Sequence, residues 1–411
     1  MNTIAYSAVS GGKVNIEKNF QRLSAAPYDF EHVLRGGECA WPGDFEGRAL
    51  LAFLCHYHMS GREIPCMRRL MAALPEHTNE YLFIGDVPDG RTVNEQQLSG
   101  HNWYLRALVD WAETFGDDFA LRAAKSTFER LYLPALPFYD RYPLERNRRD
   151  GGVDGHINDT LNGWKLSSDV GCAFMCLDGI SRYFALTGDS RAAAFIEKTF
   201  GIFLRADMVA RGFQTHTSLT CLRGALRYYG TTGDETYLSA VQREFDRYLR
   251  YGMTLTYENF NWFGREDTWT EPCAVVDSLI LATDLYTVTL QPRYRKLARR
   301  IWAYGLQFRQ RDNGGAGSNK CVTPAQPILK ISGYEAPQCC TMRYAEGLRC
   351  WYENRDLFVY DPDAAVVLEP DGRRFADDLM FVEEDGITRP IFSCNTVPKD
   401  ALERLRLKVL F

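Results

Sequence analysis

The sequence predicts a mainly α chain whose helical hairpins close into a toroid, with a short β-rich segment at the C-terminal end. Three observations carry that expectation. Apolar residues recur at helical spacing through most of the chain. A helix–turn–helix unit with a Gly-Asp turn repeats along it. From about Leu357 onward the pattern changes to short strands.

The repeats come first. Trp103 to Phe115 turns at Gly116-Asp117 and resumes at Phe119; Tyr183 to Thr187 turns at Gly188-Asp189 and resumes at Arg191; Ala225 to Thr232 turns at Gly233-Asp234 and resumes at Tyr237. In each unit Gly suits the left-handed position that ends a helix, and the following Asp suits the N-cap of the next. The flanks carry apolar residues at i, i+3, i+4 and i+7. A fourth unit, Leu279 to Trp302, has Gln291-Pro292 where the others have Gly-Asp. Earlier helices are expected over Gly47–Met59 and Glu63–Leu74. Hairpins of this kind bury their faces only against neighbours, so they stack. Irregular spacing, with loops inserted between pairs, favours a closed (α/α) barrel over a short-period solenoid.

The C-terminal pattern reads as strands around Phe358-Val-Tyr, Ala365-Val-Val-Leu, Met380-Phe-Val and Leu405 to Phe411, with Pro370-Asp-Gly as a turn. The expected division is therefore 1–355 for the barrel and 356–411 for a β-rich segment. That segment is either a cap on the barrel or the start of a longer domain.

Composition bounds the function. The 411 residues are 45% hydrophobic, 13% aromatic and 25% charged, enough for a large core. The formal charge of −5 argues against nucleic acid, which needs a basic face. The first residues lack the basic start and apolar run of a secretory signal, and no run of about 18 apolar residues is evident. A cytoplasmic protein that avoids membranes is expected, and a homodimer is left open. In that setting the 12 cysteines read as core residues plus a metal or catalytic cluster rather than a disulfide framework.

Two cysteine segments stand out. Glu271-Pro272-Cys273 opens one helix, and Cys339-Cys340 opens another. Helix N-termini favour thiolate over thiol, and one carboxylate with three thiolates suits a four-coordinate zinc site. Adjacent cysteines do not match the usual CxxC knuckle, however, and buried free cysteine is common. On spacing alone both readings stand.

Residues 211–351 resemble the β-L-arabinofuranosidase family, glycoside hydrolase family 127 and its relatives. The landmarks run in the family's order: Gln214-Thr-His216, Thr232-Gly233-Asp234, Glu258-Asn259-Phe260, Glu271-Pro272-Cys273 and Cys339-Cys340. Upstream, His101 with Leu108, Asp110 and Gly116-Asp117 is similar to the family's early hairpin. The resemblance implies an (α/α)6 barrel and a retaining exo-glycosidase that releases a furanose, β-L-arabinofuranose above all, from a small glycoside. It implies zinc held by Glu271, Cys273, Cys339 and Cys340, with Cys339 as nucleophile and Glu258 as acid/base. It places His101 and His216 against sugar hydroxyls. His156, in the glycine-rich loop Asp150 to His156, is a candidate for the mouth of the site. Glu266 and Asp267 compete with Glu258 for the acid role. Thr341-Met342-Arg343 follow the cysteine pair where the family has prolines, Asn and then Arg, and the family's β-sandwich domains are largely absent. Two other readings remain: another carbohydrate reaction on the same barrel, such as epimerisation or uronate processing, with Cys339 dispensable; or a non-catalytic binding module stapled by zinc.

Overall fold

The computed structural model describes residues 8–34, 40–146, 157–326 and 328–358, with strands at 367–368, 374–376, 379–384 and 387–393. Among the described residues, twelve helices of seven or more residues build the main body. In chain order they are α1 (Ala8–Leu23), α2 (Asp44–Ser60), α3 (Met67–Ala73), α4 (Glu95–Phe115), α5 (Asp118–Thr127) and α6 (Cys176–Thr187). There follow α7 (Ser190–Phe203), α8 (Thr215–Thr232), α9 (Glu235–Tyr251), α10 (Pro272–Thr289), α11 (Pro292–Arg300) and α12 (Cys340–Glu353).

The even-numbered helices form a ring. Each packs on the next, and α12 returns to α2 and closes it. The odd-numbered helices lie outside: α5 covers α4, α7 covers α6, α9 covers α8, α11 covers α10, and α1 covers α12. This is the expected (α/α)6 barrel. Sequence dictates which helix goes where. α10 is apolar on nearly every side, which suits an interior position, whereas the outer α9 alternates an apolar stripe with charged residues. With a mean hydropathy of 1.2 over 18 residues, α10 meets the length and composition of a membrane span, a feature the sequence reading passed over. Two thirds of it is buried inside the barrel, so it is a core helix here.

The inner helices approach closely because glycine stands where they cross. A Cβ on Gly47 would lie 2.2 Å from the backbone N of Tyr104, and one on Gly224 would lie 2.4 Å from the Leu177 carbonyl carbon. No side chain fits either crossing.

One end of the barrel is closed by the short turns. Gly116, Gly188 and Gly233 are left-handed (φ 66°, 65° and 73°), and the next aspartate accepts a backbone N–H from the following helix in all three cases. In the fourth turn Leu290 takes the left-handed position (φ 55°), and Pro292 begins α11. At the opposite end longer connections, including 252–271 and 307–339, lead into the N-termini of inner helices. A small sheet sits among them, with β1 (Val93–Asn94), β2 (Ile157–Leu161) and β3 (Trp164–Ser167) in the order β1-β3-β2. Asn162 and Gly163, both left-handed, make the tight turn between β2 and β3.

The helix expected at 47–59 is present as α2; that expected at 63–74 starts later, after Pro65, as α3 (Met67–Ala73), with a 3-10 turn from Leu74. Strands expected at 365–368 and 380–382 fall on β4 (Val367–Leu368) and β6 (Leu379–Glu384). Two more, β5 (Arg374–Ala376) and β7 (Ile387–Ser393), complete an antiparallel meander in chain order. Phe358 is a correction, because it ends a one-turn 3-10 helix (Arg355–Phe358) instead of starting a strand. The segment at 405–411 lies outside the described residues. Fully buried Trp103, Trp164, Trp262, Trp302 and Trp351 put much of the aromatic content in the core.

Candidate metal centre

The long-loop end brings the two cysteine segments together. Pro272 starts α10, leaving Glu271 extended as its N-cap and Cys273 in the first turn. Cys339 is the N-cap of α12 and Cys340 its first residue. Cys340 Sγ is 3.8 Å from Cys273 Sγ and 3.4 Å from Cys339 Sγ. All three sulfurs lie within 4.8 Å of one another. Thiolates on one tetrahedral zinc are separated by about 3.8 Å, given bonds of about 2.3 Å, so the thiols fit a single ion with little movement. A second group shares Cys273: His216, Glu271 and Cys273 also offer donor atoms within 4.8 Å of one another. The donor set, soft sulfur with imidazole and carboxylate, is one that zinc takes.

The thiols differ in their surroundings. Cys273 and Cys340 are buried, whereas Cys339 is only half-buried. Burial pushes the Cys273 thiol up to about 11. Hydrogen bonding from Cys273 and then Cys340 holds Cys339 well below the ordinary thiol range, with the Arg48 charge helping. Arg48 Nη1 donates toward Cys273 Sγ at 3.6 Å, and its Nε pairs with Asp44 at 2.7 Å. Its guanidinium lies 4.1 Å from the centre of the Trp103 ring, with that of Arg343 4.4 Å away.

Below the thiols the barrel axis is filled by charge. Asp277 (α10) accepts from Arg223 (α8) at 2.7 Å and from Arg343 (α12). Glu346 (α12) pairs with Arg106 (α4) at 3.0 Å and with Arg343. Asp178 (α6) pairs with Arg106 at 3.1 Å and with Arg227. Burial alone would raise the Asp277 carboxyl, but the guanidiniums of Arg343 and Arg223 outweigh it and hold the group far below the usual range. The sequence reading missed this network. Its signal was a lone charge inside an otherwise apolar stretch, as in Val275-Val-Asp277-Ser-Leu279 or Tyr104-Leu-Arg106-Ala-Leu108.

The remaining candidates divide. His216, 2% exposed, hydrogen-bonds Asp277 Oδ2 through Nδ1 at 2.7 Å and stands among the possible metal donors. His101 is sealed: its Nδ1 donates to the Gln97 carbonyl at 2.8 Å, and its Nε2 accepts from the Ile84 N–H at 3.2 Å. Burial pushes it down to about 4, so it is a neutral brace for the 78–86 loop, with neither nitrogen left for a sugar hydroxyl. His156 lies outside the described residues. Glu258 is buried, and three side chains donate to it, Thr256 to Oε2 and Thr270 and Asn319 to Oε1, while the Arg309 guanidinium pairs with Oε2 at 3.3 Å. Thr270 ties it directly to Glu271, whose N–H donates to Asn259 Oδ1 at 2.9 Å. Glu266 and Asp267 are exposed on the same loop. Cys172, Cys176, Cys221 and Cys321 are buried and Cys350 half-buried, as core cysteines should be.

Thr341 anchors the turn that carries the cysteine pair. Its Oγ1 donates to Glu335 at 2.9 Å and accepts from Ala316 N at 3.0 Å. Glu335 in turn is held by Arg22 and Tyr28, which pins the cysteine turn to α1. A cavity of about 280 Å³ between Asp86, Asn94, Gln97 and Lys165 touches none of the thiols.

No protein-family profile matches the chain, and no curated protein does. Solved structures do. Cellobiose 2-epimerase from Bacillus thermoamylovorans B4167 is 15% identical, with a TM-score of 0.53 over 76% of this chain and 87% of that one. A GH127 β-L-arabinofuranosidase from Geobacillus stearothermophilus T6 is 12% identical, with a TM-score of 0.52 over 92% and 67%. An unsaturated glucuronyl hydrolase specific for heparin is 10% identical, with a TM-score of 0.55 over 84% and 98%. They share its fold. At these identities the likeness extends to the barrel alone.

Proposed function

We propose that the chain is a carbohydrate-active enzyme, a retaining glycosidase acting on a small furanoside, with β-L-arabinofuranosides as the first substrates to try. Two donor groups that share Cys273, one of the three thiols and one of Cys273 with Glu271 and His216, meet at the loop end of the barrel and carry this reading. The thiolate, not the thiol, attacks carbon, so a sulfur nucleophile must be held ionised near neutral pH. Bound zinc supplies that by keeping its thiol ligands deprotonated. Glu271, Cys273, Cys339 and Cys340 would hold it.

Among the thiols Cys339 is the nucleophile, because Cys273 and Cys340 are buried and Cys339 is the least enclosed of the three. Its sulfur bonds to the anomeric carbon as the glycosidic oxygen leaves, and water then breaks the carbon–sulfur bond. Glu258 acts as acid and then base. Three hydrogen bonds and the Arg309 ion pair hold its carboxyl in one place for both halves of the role. A reaction run by histidines would need open imidazole pairs, and the sealed ring of His101 counts against it.

The test is turnover of nitrophenyl glycosides. Wild type is expected to release nitrophenol from the β-L-arabinofuranoside with retention, and Cys339→Ser to lose about a thousandfold or more of kcat. Full activity in Cys339→Ser would sink the thiolate mechanism.

A further inference from the structure

We propose that His216 is itself a metal donor, through Nε2, so that the ion is held from three inner helices, α8, α10 and α12, and not from two. The inference rests on the metal reading of the thiol cluster and extends it to a fifth ligand.

Three observations converge on the ring. His216 is 2% exposed, yet its Nε2 has no hydrogen-bond partner among the described residues. A buried polar atom left so costs about 1–3 kcal/mol, which a metal bond would remove. The other nitrogen is committed. Asp277, held by Arg223 and Arg343, can only accept, so Nδ1 donates to it and Nε2 is the nitrogen left to face a metal. A carboxylate behind a histidine in this way is the usual support of a metal-bound imidazole. Finally, a ring nitrogen of His216 lies within 4.8 Å of both the Glu271 carboxylate and Cys273 Sγ. The orientation is fixed, because the ring stacks on Trp103 at 5.7 Å with planes 7° apart.

The consequence is a set of five donors, Glu271, Cys273, Cys339, Cys340 and His216, for an ion that ordinarily takes four. His216 would then be one more residue able to hold the ion beside the nucleophile. The central ion-pair network, through Asp277, becomes the outer shell of the metal site.

Metal spectroscopy on the full chain tests this without reference to turnover. The protein is stripped with chelator and reloaded with zinc for X-ray absorption, or with cobalt(II) for optical titration. Wild-type zinc protein should show sulfur neighbours together with one imidazole, seen by its multiple scattering. His216→Ala should lose the imidazole signal, shift the cobalt ligand-field bands and weaken cobalt binding about tenfold or more. A wild-type spectrum with sulfur and oxygen but no imidazole, or unchanged cobalt affinity in His216→Ala, overturns the proposal and leaves the thiolate site standing. Wild-type protein that takes up neither metal overturns both. If His216→Ala does not fold, the wild-type zinc spectrum decides alone.

Discussion

At one end of the barrel Gly116, Gly188 and Gly233 stop inner helices in the left-handed conformation, and the next aspartate caps the outer helix. At the other end inner helices begin under long loops, and their first turns carry Asp44, Glu46, His216, Glu271, Cys273, Cys339 and Cys340 into buried or half-buried places. The first end is assembled from interactions two to four residues apart. The second depends on partners tens to hundreds of residues away, as with Arg48 and Cys273 or Arg106 and Glu346. The turns are thus specified by local contacts, while the loop end holds charge and sulfur in places that only the closed ring makes tolerable.

Substitutions at the two ends should separate by magnitude. Asp277→Ala strands Arg223, Arg343 and His216 around an empty carboxylate site, and a loss of about 3–5 kcal/mol is expected in urea unfolding. A loss under about 1 kcal/mol would mean that the axial network is ornamental.

Glu46 sharpens the comparison through pH. Burial pushes its carboxyl up to about 8, and Oε2 has no partner among the described residues. Because the folded-state value is raised above 4.5, its contribution is fully present below pH 4.5 and is lost as pH rises through about 8. Every tenfold loss of acidity in the folded state costs about 1.4 kcal/mol once the group must ionise. Glu46→Gln should therefore flatten the stability profile between those limits and be the more stable protein above pH 8. Parallel wild-type and variant profiles would place Glu46 in contact with water.

At the turn end the effects are smaller. Asp189→Ala removes the side-chain acceptor for the Arg191 N–H and should cost about 1 kcal/mol by thermal or urea unfolding. Leu290→Gly should gain about 0.5 kcal/mol, because Leu290 holds φ 55° with its side chain 71% exposed. A loss there would mean that the Leu290 side chain packs usefully against its surroundings.

The same contrast explains what could be read in advance. The hairpins were legible because a Gly-Asp turn and a 3.6-residue apolar period are local signals. The cysteine cluster was legible through the order of Glu271-Pro272-Cys273 and Cys339-Cys340 in a known family pattern. Sequence could not say that His101 is sealed, since the Ile84 N–H that occupies its Nε2 comes from a preceding loop. Nor could it say that Glu258 lies among Arg309, Thr270 and Asn319, which the long loops fold back over it. The axial network escaped for a related reason: a charge within an apolar helix is ambiguous until the neighbouring helices supply its counter-ions. Strands β5 and β7 escaped because short or proline-interrupted strands carry little period.

The central claim is a metal held by the thiol cluster, and metal content of the purified, reduced protein tests it most directly. Elemental mass spectrometry of wild type beside Cys273→Ala should find about one zinc per chain in the first and much less in the second. Wild-type protein that carries no metal and takes up no zinc on titration would contradict the account and leave a helical barrel without its thiolate chemistry.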